Sequence, residues 1–445
     1  MQALPYLIAA LLIVVFLVLP SFRQLRREEE EARAAQKEAR EKGLGEPVSL
    51  RPHVDTSVCI ASSACIQACP EQSVLKLIDG HAQIVQGANC VGHGACERSC
   101  PVDAIQLVFG SERRGIELPT VRPDFQSDVP GIYVAGELGG MGLLANAVEQ
   151  GTQAARNLAL DLPPCPEGGV DVVIVGAGPA GLSAGMWCQK NGVSYALLEQ
   201  GEFGGAIRHY PRQKLVMTRP LSLPGYKKLN FKEATKEQLI EILEDAVRTT
   251  GLRVDCSERV LEVTKTPSGG FVVKTSRRTV LASKVLLAVG RRGTPRRLEK
   301  PGEERAKVAY RLLDAERYQH NHILVVGGGD SAVEAACSLA QQPGNRVTLS
   351  YRRANLSRPK AANRERALLL AERGELSLAL GSEVVSIEED RVFLTQDGEE
   401  QVLPNDFVFV LVGGVLPSAF LRSVGISLET HYGLRIEETP SVGPS

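Results

Sequence analysis

The chain has 445 residues, of which 43% are hydrophobic and 43 are glycine, and its formal net charge is -1. This length accommodates two or three domains, and the glycine content suits α/β structure. The near-zero charge and the lack of a basic block interleaved with aromatic residues argue against nucleic acid or acidic lipid as a partner.

The N-terminal region contains an uncharged apolar run at residues 3–19, of about the length that crosses the hydrocarbon core of a membrane as a helix. No basic residue precedes the run and no small-x-small cleavage site follows it, which favours an uncleaved anchor over a signal peptide. Arg23, Arg26 and Arg27 follow the run. Because basic flanks stay on the cytoplasmic side, we expect a single-pass protein of the inner membrane, with its N-terminus outside and the bulk of the chain cytoplasmic.

Residues 22–46 are rich in helix-forming residues, with opposite charges three or four positions apart and no apolar stripe. This pattern predicts a charged, solvated helical spacer. A coiled coil is disfavoured because no apolar residues occupy regular a and d positions.

Six of the ten cysteines form two copies of one pattern, Cys59-x5-Cys65-x3-Cys69-Pro70 and Cys90-x5-Cys96-x3-Cys100-Pro101. The pattern resembles the bacterial two-cluster ferredoxin, whose runs read C-x2-C-x2-C-x3-C-P and exchange their last cysteine between clusters. The second cysteine of each run is replaced here, by Ser62 and by His93. The resemblance implies two pseudo-symmetric units of hairpin and helix. Disulfides and zinc are disfavoured, because disulfides are rare in a cytoplasmic domain and zinc sites favour C-x2-C pairs.

Crossed ligation, carried over by position, implies one cluster on Cys59, Cys65 and Cys100 and another on Cys69, Cys90 and Cys96. Three thiolates suit a [3Fe-4S] cluster. A fourth ligand from His93, Ser62 or water would instead allow a [4Fe-4S] cluster, so both types stay open.

Residues 171–181, DVVIVGAGPAG, form a hydrophobic strand that runs into a G-x-G-x-x-G loop and then a helix-compatible stretch. Gly176, Gly178 and Gly181 allow the tight turn, the approach of a pyrophosphate to backbone N–H groups, and close helix packing. Glu199 ends the following strand, at the position where an acidic side chain binds ribose hydroxyls. The complete unit predicts a dinucleotide site.

A second unit of this kind occupies residues 322–353, with Ala332 in the place of the third glycine. Its second strand reaches Ser350 where a carboxylate would stand, and arginines follow. Arginine binds a 2′-phosphate that an acidic residue would repel, so the unit predicts NADPH over NADH. The predicted site residues are Gly327, Gly329, Asp330, Ser331, Arg352, Arg353 and Arg358.

Residues 171–425 resemble the thioredoxin-reductase-like branch of the FAD-dependent pyridine nucleotide-disulfide oxidoreductases. The resemblance is carried by the two fingerprints, by Gly204 and Gly205 after the first acidic residue, and by the strands that end at Gly290 and Gly414. It implies FAD on the first unit, with Gly204 and Gly205 along the flavin and Gly290 where the chain returns to the flavin domain.

The resemblance also reveals an inverted order. The family closes on a PG-x-[YF]-x-AGD segment, whose acid binds the ribityl chain and whose following helix points its N-terminus at the isoalloxazine. No such segment follows Gly425, whereas residues 130–158 contain one, with Gly136 and with Glu137 in place of aspartate. We expect residues 110–160 to join the FAD domain by circular permutation, with Glu137, Met141 and the helix from Leu143 bordering the flavin. Completion of a neighbouring subunit in a homodimer is the alternative.

The expected fold class is α/β, with two Rossmann-like domains for FAD and NADPH, a small α+β ferredoxin-like domain and an N-terminal transmembrane helix. The expected segments are an anchor at 1–21, the spacer at 22–46, the iron-sulfur domain at 47–109, the permuted segment at 110–160, the FAD domain at 168–300, the NADPH domain at 301–425 and a tail at 426–445.

Thiol-disulfide exchange lacks its nucleophile in this chain. Thioredoxin reductases carry a C-x-x-C just before the second fingerprint, where residues 307–329 contain no cysteine. Ala180 stands where some relatives use a cysteine, and the four cysteines outside the two runs are far apart in sequence. We therefore expect a membrane-anchored NAD(P)H oxidoreductase that passes electrons between NADPH, FAD and the clusters and serves an electron carrier or a partner subunit.

Two alternatives stay open. One is a partner-dependent reductase subunit of a small-molecule enzyme, as in the small subunits of glutamate synthase. The other is a non-catalytic redox sensor, which the absence of an output domain disfavours. His209, Arg208 and Lys214 are candidates for side chains near the flavin, and a structural role for each is equally open.

Overall fold

The computed structural model describes residue 15 and residues 19–45, 50–90, 92–109, 116–139, 143–218, 220–231, 233–267, 269–291 and 294–432. The chain divides into two units. The first comprises Met1–Gly115 and His431–Ser445, and the second comprises Ile116–Thr430.

The first unit contains a long helix and a small domain in which the order strand, helix, strand occurs twice. Its elements are α1 (Leu19–Glu41), β1 (Leu50–Val54), α2 (Ala64–Ala68), β2 (Leu75–Ile78), β3 (His81–Ile84), α3 (Ala95–Arg98) and β4 (Ile105–Phe109). Strand β1 pairs antiparallel with β4, and β2 with β3. Helices α2 and α3 carry Cys65 and Cys96, which are buried with Val74, Leu75 and Ile105 in the core of this domain.

Helix α1 covers residues 22–41 of the predicted spacer, and two of its side chains are buried rather than solvated. Ala32 is 5% exposed and Ala39 is 2% exposed, and Ala32 packs with Ile78 and Val85 of the small domain. The Gln36 side chain donates to the carbonyl of Ile84 at 2.9 Å. Alanines contribute little to an apolar stripe in the sequence, yet their small size lets this helix lie close to the β2–β3 hairpin.

The predicted membrane location is contradicted. Among the described residues, no helix is both long enough and apolar enough to span a bilayer. The helix that includes Leu19 runs to Glu41 and carries charged side chains along its length. The run at residues 3–19 that prompted the prediction lies outside the described residues except for Val15 and Leu19.

The second unit begins with a six-stranded sheet, in the order β13-β14-β15-β7-β8 with β6 also against β15. Its strands are β6 (Ile132–Val134), β7 (Val170–Val175), β8 (Tyr195–Leu198), β13 (Val260–Lys265), β14 (Phe271–Thr275) and β15 (Thr279–Leu287). Strand β7 is buried at four successive residues, Val172–Val175, as expected of a strand covered on both faces. The helices of this part are α4 (Leu144–Leu158), α5 (Pro179–Lys190) and α6 (Lys236–Thr250).

Strand β6 and helix α4 come from the segment that precedes the first fingerprint. Strand β6 pairs in parallel with β15, with Ile132 opposite Val285 and Val134 opposite Leu287. Helix α4 crosses the fingerprint helix α5 at Gly151, where a Cβ would lie 2.0 Å from the carbonyl oxygen of Ala180. The Ser183 hydroxyl donates to the carbonyl of Val148 at 2.8 Å, which links the two helices.

A second sheet follows, in the order β17-β24-β18-β19-β20, and all of its strands are parallel. Its elements are β17 (Val308–Ala309), β18 (His322–Val326), α7 (Asp330–Ala340), β19 (Arg346–Tyr351), α8 (Ala361–Glu372), β20 (Leu376–Leu380) and β24 (Phe407–Val410). A meander of β21 (Ser382–Ile387), β22 (Arg391–Gln396) and β23 (Glu399–Pro404) is inserted before β24. The order strand, glycine loop, helix, strand at β18-α7-β19 is that of a dinucleotide-binding half.

The remaining elements are short. They are β5 (Ile116–Pro119), β9 (Leu215–Met217), β10 (Leu221–Ser222), β11 (Lys228–Leu229), β12 (Glu233–Thr235), β16 (Thr294–Pro295), β25 (Gly414–Val415), α9 (Ser418–Ser423) and β26 (Leu428–His431). The strands among them form two-stranded pairs, β9 with β12, β10 with β11, β16 with β25 and β5 with β26.

The contact at Gly151 predicts a stability defect. Gly151→Val would force α4 away from α5, and we expect a loss of about 1–3 kcal/mol in the free energy of unfolding, as for other overpacked sites. Thermal unfolding of the purified protein measures the change. Gln153→Ala, on the exposed face of the same helix, is the matched control and should leave the free energy of unfolding unchanged within about 0.5 kcal/mol. Equal stability of the Gly151 variant would contradict the crossing.

Candidate cofactor sites

The first fingerprint loop packs against the loop that contains Gly204 and Gly205. The amide of Gly204 donates to the carbonyl of Ala177 at 2.8 Å. A Cβ on Gly205 would be only 2.9 Å from the Cα of Gly178, and Gly204 and Gly205 both have left-handed φ angles, +107° and +58°. Glycine is needed here for conformation and for space, because two backbones approach each other where a dinucleotide would pass.

Glu199 lies against this loop as the sequence predicts. Its Oε2 accepts from the amide of Ala177 at 2.8 Å, and its Oε1 accepts from the amide of Gly201 at 3.0 Å. The carboxylate therefore has a defined orientation at the C-terminal end of β8, the edge where Rossmann-type sheets bind ribose.

The segment around Gly136 reaches the same place. Gly136 has a φ of +82°, and a Cβ there would lie 3.0 Å from the Cβ of Ala180 at the start of α5. The amide of Gly136 donates to Gln150 Oε1 at 3.0 Å, which ties the turn to α4. Glu137 follows within the 3-10 turn Gly136–Gly139. Met141 lies outside the described residues.

The return from β15 also meets the fingerprint. A Cβ on Gly176 would be 2.7 Å from the carbonyl oxygen of Ala288, and a Cβ on Gly181 would be 1.8 Å from the carbonyl oxygen of Gly176. Gly290, two residues beyond Ala288, has a φ of +67°. The structure thus brings Gly136, Gly176, Gly178, Gly181, Gly204 and Gly205 together at one end of the sheet.

Three other candidates near the predicted flavin are engaged elsewhere or exposed. Arg208 pairs with Glu244 at 2.8 Å, and Lys214 pairs with Glu334 at 2.8 Å. His209 is exposed, although partial desolvation, with Arg311 and Lys236 nearby, lowers the pKa of its imidazole. The ion pairs give Arg208 and Lys214 structural roles.

The second fingerprint contains a close contact that the sequence did not reveal. A Cβ on Gly328 would be 2.1 Å from the ring of Tyr351, which is 5% exposed and ends β19. Asp330 is also engaged, because its Oδ1 accepts from the amide of Lys360 at 2.8 Å and from Asn363 at 2.7 Å. Three glycines in a row and an aromatic residue before two arginines are the signals that could have identified this contact.

The end of β19 carries the residues predicted to select the nucleotide. Ser350 is 1% exposed, and its hydroxyl shares a 2.7 Å hydrogen bond with Ser382, so it is committed within the domain. Arg352 and Arg353 are exposed and Arg358 is half-buried. Gly329 and Ser331 open α7 beside them. Exposed guanidinium groups at this strand end suit a 2′-phosphate.

The predicted cysteine sets come together in the small domain of the first unit. Cys59, Cys65 and Cys100 line one small cavity, together with Ser62. Burial, followed by the nearby Cys59 and Cys100, raises the pKa of Cys65. The amide of Ala104 donates to the Sγ of Cys100 at 3.2 Å, a contact that also stabilises a thiolate.

The other set is Cys69, Cys90 and Cys96. Burial is the largest cause that raises the pKa of Cys96 to about 11, and Cys90 and Cys69 raise it further. Within the described ranges, no group of three or more His, Cys, Asp or Glu side chains is positioned to hold a single metal ion. An iron-sulfur cluster places iron and sulfide between its ligands, so its thiolates lie farther apart than those of one ion. The two sets fit clusters in number and in donor type.

The cysteines outside the two runs do not form a redox pair in the sequence. Cys188 and Cys337 are buried in the two Rossmann-like halves, and burial raises the pKa of Cys188 to about 12. A thiol with this pKa has almost no thiolate at neutral pH and is inert as a nucleophile.

Comparison with known proteins agrees with this geometry. Residues 173–441, more than half of the chain, match the pyridine nucleotide-disulphide oxidoreductase family. The chain belongs to this family. Residues 51–101 match a 4Fe-4S dicluster domain.

Individual relatives include Bacilliredoxin reductase Bdr from Bacillus subtilis, which is 29% identical over 269 residues that cover 59% of this chain and 82% of the relative. A ferredoxin--NADP reductase from Thermus thermophilus is 30% identical over 272 residues, with 58% and 77% covered. The solved bacillithiol disulfide reductase Bdr from Bacillus cereus is 29% identical with a TM-score of 0.54, covering 58% of this chain and 82% of that one.

These matches confirm the predicted enzyme class and cofactors. The chain is an FAD-dependent NAD(P)H oxidoreductase, and its cofactors are FAD, NADPH and iron-sulfur clusters. The glycine loops and Glu199 fit the first dinucleotide, the arginines after β19 fit the second, and the two cysteine sets fit the clusters.

The contacts of Glu199 predict a specific loss of flavin. Glu199→Gln replaces a charged acceptor of two backbone amides by a neutral one, and we expect FAD to bind about 10- to 100-fold more weakly, since hydrogen bonds to a charged group contribute roughly 1.5–3 kcal/mol. Fluorescence titration of the apoprotein with FAD measures the affinity. Glu202→Gln, an exposed neighbour, serves as the control. Unchanged affinity in the Glu199 variant would remove this residue from the flavin site.

Proposed function

We propose that this enzyme moves electrons between NADPH and an external one-electron carrier or partner subunit, and that the ferredoxin-type clusters lie on this route. Bound FAD accepts a hydride from NADPH and exchanges electrons singly with a one-electron centre. The observation that carries the proposal is the convergence of six cysteines into two crossed sets of three. Ferredoxin--NADP reductases among the relatives support a carrier as the second substrate.

The same proposal explains the missing dithiol. Residues 307–329 contain no cysteine, and Ala180 stands in the first fingerprint where some relatives use one. The isolated Cys188 and Cys337 are buried, so neither offers a thiolate to an external disulfide. The clusters replace the dithiol as the group that exchanges electrons with the flavin. Either direction of flow uses the same residues, and the relative potentials of carrier and nucleotide decide it.

We also propose that the FAD domain is circularly permuted, with residues 110–160 supplying the segment that closes this domain in relatives. Three contacts support it: β6 pairs with β15, α4 crosses α5 at Gly151, and Gly136 approaches Ala180. Each joins the segment to the FAD domain of the same chain. In this arrangement the N-terminus of α4 and Glu137 serve the flavin, as the closing acid and helix do in relatives.

Loss of the clusters should separate two activities. In the double variant Cys59→Ser/Cys90→Ser, we expect NADPH oxidation by ferricyanide to continue, because this small acceptor reaches the flavin directly. Reduction of a ferredoxin should fall at least about ten-fold, since each variant cluster has lost a thiolate ligand. Steady-state assays with both acceptors, together with iron and flavin analysis, measure the two activities.

Cys165→Ser changes an exposed cysteine outside the two runs and is the matched control for both acceptors. If iron analysis shows that the double variant has lost its clusters, undiminished ferredoxin reduction would overturn the proposed route.

The exposed arginines after β19 should set the preference for NADPH. Arg352→Ala is expected to raise the KM for NADPH about 10- to 100-fold, because a charge-assisted contact with a phosphate contributes roughly 1.5–3 kcal/mol. The KM for NADH should stay within about two-fold, since NADH has no 2′-phosphate. Arg346→Ala, exposed at the opposite end of the same strand, is the control. Equal effects on the two nucleotides would contradict the assignment.

A further inference from the structure

The imidazole of His93 contains a buried atom without a hydrogen-bond partner. Its Nε2 is inaccessible to solvent and, within the described part of the chain, no donor or acceptor reaches it. Leaving a buried polar atom unsatisfied costs about 1–3 kcal/mol. Native structures avoid this cost, so such an atom points to a ligand that is held there.

The backbone on both sides of His93 holds the ring in place. Gly92 and Gly94 have left-handed φ angles of +71° and +73°. A Cβ on Gly92 would lie 2.8 Å from the Cβ of Leu50, and the His93 carbonyl accepts from Arg98 Nη2 at 3.1 Å. The histidine is therefore presented from a tight turn directly before α3, which carries Cys96.

His93 lies close to one of the two cysteine sets. It lies between Cys90 and Cys96 in the chain, separated from each by two residues, in the turn that leads into α3. Cys69 and Cys96 are buried in one core cluster of the domain, and Cys90 packs against that cluster.

The other cysteine run has the same backbone and a different side chain. Ala61 and Ser63 have φ angles of +57° and +59°, which match those of Gly92 and Gly94. Ser62, between them, is exposed and lines the cavity of Cys59, Cys65 and Cys100. The two runs thus present the residue three positions after their first cysteine in the same way, as an exposed hydroxyl at Ser62 and as an imidazole with a buried Nε2 at His93.

We propose that His93 ligates, through Nε2, the fourth iron of a [4Fe-4S] cluster held by Cys69, Cys90 and Cys96, and that the two cluster sites of this protein are not equivalent. A cluster held by Cys59, Cys65 and Cys100 would have Ser62 beside it, since the residues that line their cavity include Ser62 and no histidine. The inference rests on the proposed function in one respect, namely that the two runs hold clusters. Neutral imidazole in place of a thiolate raises the reduction potential of a cluster relative to ligation by four cysteines.

Selective isotope labelling tests the ligand directly. Protein prepared with 15N-imidazole histidine is reduced, and the nitrogen hyperfine couplings of its clusters are recorded by pulsed EPR. We expect a strong coupling that changes from the 14N to the 15N pattern on labelling. The measurement is made on the wild-type protein, so it does not depend on whether a variant folds. A spectrum without a histidine nitrogen coupling would overturn the inference.

Variants then identify which histidine contributes the coupled nitrogen. His93→Ala should abolish the coupling and yield an oxidised three-iron signal near g = 2.01 in that site. His93→Cys should keep a four-iron cluster without the coupling and with a lower midpoint potential. His81→Ala, which changes another histidine of the same domain, should retain the wild-type coupling. A coupling that survives His93→Ala would assign the nitrogen to a different residue and refute the proposal.

The test of His93 as a ligand and the test of the proposed function can fail separately. A histidine coupling without any NADPH-dependent reduction of a ferredoxin would leave the ligand in place and reject the proposed function. Carrier reduction without the coupling would do the reverse.

Discussion

The flavin half of this enzyme depends on contacts between backbones that only glycine permits. Gly151 lets α4 lie on the carbonyl of Ala180, Gly181 lies against Gly176, and Gly205 touches Gly178. Any side chain at these positions would have to displace main-chain atoms, which are the least compressible part of a packed interior. The loops that surround a dinucleotide, and the helix that approaches it, are positioned by these contacts.

The same contacts are compatible with the proposed circular permutation, in which the flavin domain starts with the segment that ends it in relatives. Parallel pairing of β6 with β15 and the crossing of α4 over α5 require that the segments meet in space, and they are indifferent to which comes first along the chain. A linker at residues 162–169 joins α4 to β7 in this protein. The proposed reordering would leave the region before residue 116 available for other modules, and the cysteine-rich domain lies in that region.

The small domain shows how two related halves acquire different chemistry. The left-handed residues on both sides of Ser62 and His93 give the two runs the same turn at the position of the second cysteine in the ferredoxin pattern. Changing the side chain on a retained backbone alters the ligand without altering the fold, because the core around Cys65 and Cys96 contributes the stability separately. Such substitutions can give neighbouring clusters unequal affinities for electrons, which is a physical basis for directional transfer.

The sequence by itself determined the local motifs. Gly176, Gly178, Gly181 and Glu199 follow each other within one strand-loop-helix-strand unit, and the six cysteines repeat at fixed spacing, so their chemistry is encoded over short distances. Family membership and the set of cofactors follow from them. The membrane location inferred from the apolar run at residues 3–19 is contradicted, since no helix among the described residues is long and apolar enough to span a membrane.

Tertiary structure decided the remaining features, because they join residues far apart in the chain. The approach of Gly136 to Ala180, the ring of Tyr351 over Gly328 and the burial of Ala32 against Ile78 leave no periodic signal in the sequence. The unpartnered Nε2 of His93 is likewise a property of its surroundings. Sequence identified the residue types able to hold each cofactor, and packing determined which of them meet and which polar atoms are left for a ligand.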